Sequence, residues 1–427
     1  MKRIALTFIA VLCTLSSQAQ LRLSLTEAQD YAVSNNLTVR NTLIDYDKAL
    51  SKVWETTAQG LPQLSASGNY QHLLTSIPEI NFGEQKVKLG LANTFNASGA
   101  LNQLIFNGSY IVGLQSAKAY KDFAKLGVEK ATIEIRAAVA QTYYLCLVTA
   151  ETRAILHENL TLIEKTLGEM QAMKQQGMVD RTSVDQIEVA YNQLFAQLNS
   201  VERQVKNTQD MLKNLIGMPL TQPIELGENL VAIVGAVSDD YLSLTDYKQD
   251  ENIGIKMAAM DVTLSGLLLK LAQSAYLPTI GAQLGLQHNF TMPEFSFQNA
   301  TTAYVGASVQ VPIFTSGQTA AKVKQARMSL QQSKNKEQQA RQDLDLSFQQ
   351  SLDGFQLAWD VYEVQKKNLA LASRVLSDMK KSITVGMKSS TELIQANNSY
   401  LEAASGMVTA EFNLLKSKIE LDKILSK

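Results

Sequence analysis

The chain is short of most of what a catalytic domain is usually built around. Its 427 residues include seven prolines, three histidines and two cysteines. So few histidines, with no Walker loop, no Gly-x-Ser-x-Gly and no HExxH, leave enzyme chemistry little to stand on, and no cofactor or metal is expected. Paired carboxylates such as Asp343 with Asp345 read as a solvated helical face. Only Cys146 remains outside the N-terminal leader, so no intrachain disulfide is expected. It lies in a helical run, Tyr143-Tyr144-Leu145-Cys146-Leu147, where a small core residue fits. Beyond the leader no apolar run approaches the ~20 residues of a membrane-spanning helix. That leaves a soluble protein or a β-barrel, whose alternating strands escape hydropathy scans.

The leader begins Met1-Lys2-Arg3, continues as an apolar core from Ile4 to Leu15, and ends Ser16-Ser17-Gln18-Ala19. This is the pattern of an export signal over residues 1–19, cleaved after Ala19. An apolar core of about twelve residues is too short to anchor the chain. Cys13 follows Val11-Leu12, where a lipidation signal wants a small residue. Once Lys2 and Arg3 are removed, the 39 basic residues fall to 37 against 40 acidic, a net charge of about −3. Nucleic acid is therefore not an expected partner.

Where proline is absent, long helices are expected. Ile313 to Lys427 contains none in 115 residues, and Val385-Gly386-Met387-Lys388-Ser389-Ser390 is its one weak break. The first of the two helices so defined would span roughly 100 Å at 1.5 Å per residue. Asn107 to Gly217 is also free of proline, with a weak break at Gln176-Gly177-Met178. The seven prolines, Pro62, Pro78, Pro219, Pro223, Pro278, Pro293 and Pro312, punctuate two similar halves. Asn36 through Pro62 matches Asn252 through Pro278, 216 residues on; Phe106 matches Phe314, 208 on; Gly177-Met178 matches Gly386-Met387, 209 on. Three concordant anchors indicate a tandem duplication. The expected division is a first repeat over 20–217, a linker over 218–244 and a second repeat over 245–427. The first repeat would hold a helix, strands 63–75 and 87–106 and a helical hairpin 108–216; the second, a helix, strands 279–292 and 300–312 and a hairpin 317–426.

The strand segments alternate with period two. Leu64, Ala66, Tyr70 and His72 share one face against Gln63, Ser65, Ser67, Asn69 and Gln71. Leu89, Leu91, Phe95, Ala97 and Leu101 alternate in the next segment, and Leu284, Leu286, Val305 and Val309 in the second repeat. The polar faces carry Gln, Asn, Ser and Gly without charge, which suits apolar-out, polar-in barrel walls, or a half-buried soluble sheet. Four strands cannot close a barrel, for which about eight is the working minimum, so a barrel requires several copies. In the helices, Ile133, Ala137, Ala140, Tyr144 and Leu147 form one coiled-coil seam, as do Leu344, Phe348, Leu352, Phe355, Trp359 and Tyr362. Val139, Leu145, Cys146 and Val361 lie off those stripes, as a helix with neighbours on both sides requires.

The first-helix Leu25-Thr26-Glu27-Ala28 with Asn35-Asn36, the Leu61-Pro62 and Leu277-Pro278 strand openings, the elbows Leu104–Gly108 and Val311–Gly317, and the turns at Gly177 and Gly386 occur in an order that resembles the TolC-like outer-membrane efflux family. The resemblance implies a mainly α-helical α+β fold and a homotrimer. Its twelve strands would form one barrel in outer-membrane lipid, continued by an α-helical tube across the periplasm. It also implies a passive exit duct for small molecules, loaded by a periplasmic adaptor and an inner-membrane transporter. A type I protein-secretion duct of the same architecture is the alternative, and a soluble periplasmic coiled-coil scaffold is the reading from another class. In the family the second-repeat turn carries acidic residues that ring the periplasmic mouth. The matching positions here are Glu392 and Gln395, so only the first keeps a carboxylate. Glu392 is equally an ordinary first-turn acid favoured by the helix dipole. Gly177, Met178, Asp180, Arg181, Asp185, Gly386, Met387 and Lys388 are candidate tip or adaptor contacts. Capping by Thr182 or Ser183, with Asp185 in the first turn, is the plainer reading of that turn. The lipid-facing candidates are Leu89, Leu91, Phe95, Leu284, Leu286, Val305 and Val309. His72 and His288 are repeat-equivalent and read as residues near the barrel rim, since no acidic or cysteine cluster accompanies them.

Overall fold

A computed structural model describes residues 21–75, 79–88, 93–237, 241, 244, 247–291, 300–384 and 389–426. The leader, Leu89, Leu91, Gly386, Met387 and Lys388 lie outside them. In chain order the elements are β1 (Leu21–Leu23), α1 (Leu25–Asn35), α2 (Leu37–Ala58), β2 (Gln63–His72), β3 (Glu79–Phe82), β4 (Gln85–Lys88), β5 (Asn93–Asn107), α3 (Gly108–Gln175), α4 (Arg181–Ile216), β6 (Ile224–Leu226), α5 (Leu230–Gly235), α6 (Ile253–Ser274), β7 (Thr279–Thr291), β8 (Ala300–Gln310), α7 (Gln318–Thr384) and α8 (Ser390–Ile424). The protein is mainly helical, and α3 and α7 run 68 and 67 residues without interruption.

Two details depart from expectation for local reasons. The helical pattern opening at Leu25 is two helices, because Asn36 adopts an extended backbone (φ −65°, ψ 130°). Its Oδ1 accepts from the Thr38 amide at 2.8 Å, which starts α2 afresh, and its Nδ2 donates to the Leu215 carbonyl at 2.7 Å. The strand expected over 87–106 is described from Asn93 to Asn107, while Val87 and Lys88 belong to a separate hairpin of Glu79–Phe82 with Gln85–Lys88, turned at Gly83, φ 66°. Left-handed backbone there suits glycine.

The chain divides into two compact units that cut across the sequence repeats. One comprises the chain up to Leu43 with Gly127–Lys256 and Ala340–Lys427. Its core joins Val139, Tyr143, Cys146, Leu212, Phe348, Phe355, Leu414 and Leu421, so α3 buries residues beyond its single heptad stripe. β1 pairs in parallel with β6, and the Tyr143 hydroxyl donates to the Leu23 carbonyl at 3.0 Å, fastening that ribbon to α3.

The other unit, Ile44–Leu126 with Met257–Gln339, carries the four-stranded antiparallel sheet β2-β5-β7-β8. The buried residues of its helices are small: Ala49, Thr56, Ala117, Ser265, Ser274, Thr319 and Ser333. Two hydroxyl pairs, Ser265–Ser333 at 2.8 Å and Ser109–Ser274 at 3.0 Å, lie where the backbones approach closely. Large apolar residues of the same unit stand exposed, among them Trp54, Leu268, Met328, Ile313 and Phe314.

Candidate functional site: a two-faced sheet and a pair of helix turns

Register decides which strand residues share a face, because paired residues in an antiparallel sheet point the same way. Tyr70 pairs Phe95 and Phe95 pairs Phe290; Leu64 pairs Leu101, which pairs Leu284, which pairs Val305. Leu286 pairs Ala303, and Ile280 pairs Val309. One face is therefore apolar across all four strands. Leu64 (80%), Val305 (82%) and Val309 (65%) are exposed on it in the single chain. Phe95 and Phe290 meet at a centroid separation of 5.4 Å. The opposite face carries Gln63, Ser67, Asn96, Asn102, Gln283, Gln287, Ser308 and Gln310, and no Asp, Glu, Lys or Arg occurs in β2, β5, β7 or β8. Ser67 and Ser98 are linked across it at 2.9 Å.

β2 and β8 are the edges of this sheet, and their outer hydrogen-bonding sides have no partner within it. They run antiparallel to one another, as three successive antiparallel pairings require. His72 contacts Asn93 Oδ1 at 2.6 Å and His288 contacts Thr301 Oγ1 at 2.8 Å, each through Nδ1. Both sit on the apolar face towards the β2–β3 and β7–β8 connections. They lie four tiers apart: His72 pairs Asn93, and His288 pairs Ala97.

In the other unit, two helix turns present the remaining candidates. Two residues beyond the end of α3, Gly177 turns the chain with φ 73°, and Met178 beside it is exposed. α4 starts at Asp180, whose carboxylate accepts from the Ser183 amide at 3.1 Å, so the cap is neither Thr182 nor Ser183. Asp180 is the last residue before the helical backbone and can reach the free amide three residues on. Hydrogen bonding from the Ser183 side chain, and then from its amide, holds the Asp180 carboxyl below the usual range. Arg181 and Asp185 pair at 3.5 Å along the first turn, both largely exposed. In the second repeat Ser389 and Glu392 form a capping box: the Ser389 amide and hydroxyl donate to the Glu392 carboxylate at 2.9 and 3.1 Å. Glu392 is half-buried, and Gln395 is exposed.

Polar contacts link the two turn regions. Gln186 Oε1 accepts from Thr391 Oγ1 at 3.1 Å and lies 3.4 Å from Ser390 Oγ. Deeper in, Asn159 and Asn397 exchange amide hydrogen bonds at 2.7 and 3.0 Å, both buried. Neither pair was legible beforehand. Single Asn and Gln residues in a helical run carry no local signal, and only their common exclusion from the apolar seams marks them. Glu411 of α8 is also buried, and burial with Glu151 nearby pushes its carboxyl up to about 7. Cys146 lies within the core, where desolvation raises its thiol to about 11, an inert structural position.

Known proteins share this arrangement. A family model described as outer membrane efflux protein matches residues 29–218 and 249–427, skipping the connection between the repeats. The outer membrane efflux protein BepC of Brucella suis biovar 1 is 23% identical over 333 residues, covering 75% of this chain and 70% of that protein. Outer membrane protein TolC of Escherichia coli strain K12 is 20% identical over 96% of this chain and 83% of its own. The crystal structure of the outer membrane protein VceC from Vibrio cholerae superposes with a TM-score of 0.77 at 14% identity, covering 94% of this chain and 96% of that one. With both repeats matched by one model and the fold shared end to end, this chain is a member of the outer membrane efflux protein family.

Proposed function

We propose that three copies of this chain form a passive exit duct in the outer membrane, the barrel end of a tripartite efflux pump for small molecules. The observation that carries this reading is the sheet: one face apolar and exposed, the other polar and uncharged, with an unpaired strand at each edge. Lipid against Leu64, Leu284, Leu286, Phe95, Val305 and Val309 accounts for the first face, water in a lumen for the second. Because β8 and β2 run in opposite directions, β8 of one copy can pair antiparallel with β2 of the next. Three copies then supply twelve strands and leave no edge. The poor internal core of the sheet-bearing unit supports association as well, since Trp54, Leu268, Met328 and Phe314 need a neighbour to cover them.

The helical hairpins form the periplasmic part of the assembly in this reading. The turns at Gly177 and Gly386 meet the adaptor, and an inner-membrane transporter supplies the energy. Three Glu392 carboxylates ring the mouth and favour cations; opening is an outward, iris-like movement of the helix pairs. The deciding experiment is fractionation with detergent dependence, followed by conductance in planar bilayers. The duct reading expects outer-membrane partition and discrete channels. Val305→Arg on the lipid face should cut membrane recovery sharply, at about 2–4 kcal/mol for a basic residue near mid-bilayer. A processed chain that stays soluble without detergent would leave the periplasmic scaffold instead.

A further inference from the structure

The polar face of the sheet holds one aromatic side chain. At one level across the strands, Ser65 pairs Ala100, Ala100 pairs Gly285 and Gly285 pairs Tyr304. Tyr304 is the only aromatic on that face among the described residues of β2, β5, β7 and β8. Its ring does not stand off the sheet. It lies across Gly285 so closely that a Cβ built there would run into the ring and its hydroxyl. Gln283 Nε2 lies 3.4 Å from the Tyr304 hydroxyl, on the β7 side. The ring thus leans inward over its own neighbour and away from the free edge of β8. Tyr304 is 42% exposed, against 82% for Val305 next to it on the opposite face.

We propose that Gly285 is a notch that parks Tyr304 flat against the wall, and that this parking keeps the lumen open at that level. The inference rests on the polar face lining the lumen, as argued above. A tyrosine χ1 has three staggered wells, and the one that lays the ring on β7 exists only while position 285 lacks a side chain. Any Cβ at 285 forces the ring into a well that lifts it from the sheet. In a threefold assembly three rings would rise at one height, where the other tier residues are Ser, Ala and Gly. The same lean keeps the β8 edge clear for the next copy's β2, so parking also serves closure.

The test uses the full-length protein carrying Ser308→Cys in a planar bilayer. A bulky, charged thiol reagent is added on the barrel side, and the rate of current change is read. Ser308 lies on the same face, four residues beyond Tyr304 along β8 and further from the β7–β8 connection. Cys146 is buried and stays silent. Gly285→Ala should slow modification several-fold for the bulky reagent and much less for a small one, and Gly285→Ala with Tyr304→Ala should restore the rate. Tyr304→Ala alone, which asks nothing of the glycine, should leave the rate within about twofold of the parent. Equal rates with and without Gly285→Ala overturn the proposal, as does a several-fold acceleration by Tyr304→Ala alone, since a ring already in the path cannot be parked. Failure of Ser308→Cys to react with any aqueous reagent in the otherwise wild-type channel would instead refute the polar-inward reading beneath it.

Discussion

Removing one member of the Asn159–Asn397 pair should cost far more than removing both. The two amides are 3% and 2% exposed and each donates to the other's carbonyl oxygen, at 2.7 and 3.0 Å. Leu162 and Leu376 line a cavity with Asn159, and Leu393 and Ala396 belong to the same apolar cluster as those two leucines. Asn397→Leu strands one donor and one acceptor of Asn159, each costing about 1–3 kcal/mol when buried without a partner. The expected loss is therefore about 3 kcal/mol, and the same for Asn159→Leu. The double variant removes both desolvated groups together, and an apolar pair of similar shape is close to neutral. The coupling energy in the cycle should then be several kcal/mol and favour the double variant. Hydrogen exchange of peptides around residues 155–165 and 393–401 reads this locally. A loss of 3 kcal/mol is roughly a hundredfold in the opening equilibrium at about 1.4 kcal/mol per decade. Single variants that exchange as slowly as the parent, or a double variant whose cost is the sum of the singles, would refute the reasoning.

Three further expectations can be tested alongside it. Asn36→Ala and Asn252→Ala should each destabilise by about 0.5–2 kcal/mol, the range for a lost N-cap, and by similar amounts, seen as equal gains in protease sensitivity near the α1–α2 and α6 starts. Glu411 holds a proton in the folded chain between its ordinary value of 4.5 and about 7, where the unfolded chain releases it. Stability should therefore fall as pH rises through that window, by up to about 3 kcal/mol, and Glu411→Gln should flatten the denaturation midpoint across it. Glu392→Gln separates the two roles of that residue: glutamine still closes a capping box, so stability should barely move, while cation selectivity in bilayers should drop if the carboxylates ring the mouth.

What the sequence made legible follows from how local each cause is. Long helices were readable because nothing in Asn107–Gly217 or Ile313–Lys427 forbids helix, and seam residues such as Tyr144, Phe348 and Phe355 recur at heptad spacing. Strand faces were readable because Leu284 and Leu286 alternate with Gln283 and Gln287, and a period of two needs no tertiary knowledge. The break at Asn36 was not, since it depends on a carbonyl at Leu215, 179 residues away. The helix start at Asp180 was misplaced by two or three residues because Asp, Thr and Ser all cap well, and only the chain's entry angle selects among them. Tyr304 gave no warning at all. Its orientation is decided by a missing side chain on the neighbouring strand.

The joint at Asn36 also explains what the duplication preserves. Asn252 reproduces it: its Oδ1 accepts from the Gly254 amide at 2.8 Å and its Nδ2 donates to the Ile424 carbonyl at 2.9 Å. The carbonyls used, Leu215 and Ile424, are 209 residues apart, while the two asparagines are 216 apart, so the bond survived a change of length in the intervening strands. α4 and α8 are each followed by a residue with positive φ that closes the same joint, Gly217 in one repeat and Ser426 in the other. At Gly217 a Cβ would press on the Asn35 carbonyl at 2.8 Å, and only glycine fits. Ser426 bears the left-handed cost of about 1–2 kcal/mol, and its Oγ accepts from the Ile253 amide at 3.2 Å, satisfying a free donor at the start of α6. Side chains there have diverged while the backbone demand has not: a helix end must hand its last carbonyls to the next helix start. Replacing Ser426 by Gly should therefore be nearly neutral, the relieved strain offsetting the lost hydrogen bond. Replacing Gly217 by Ser should destabilise the first joint by more than either term alone, because clash and strain act together. Equal effects at the two positions in a thermal or denaturant melt would show that the joints are not constrained in this way.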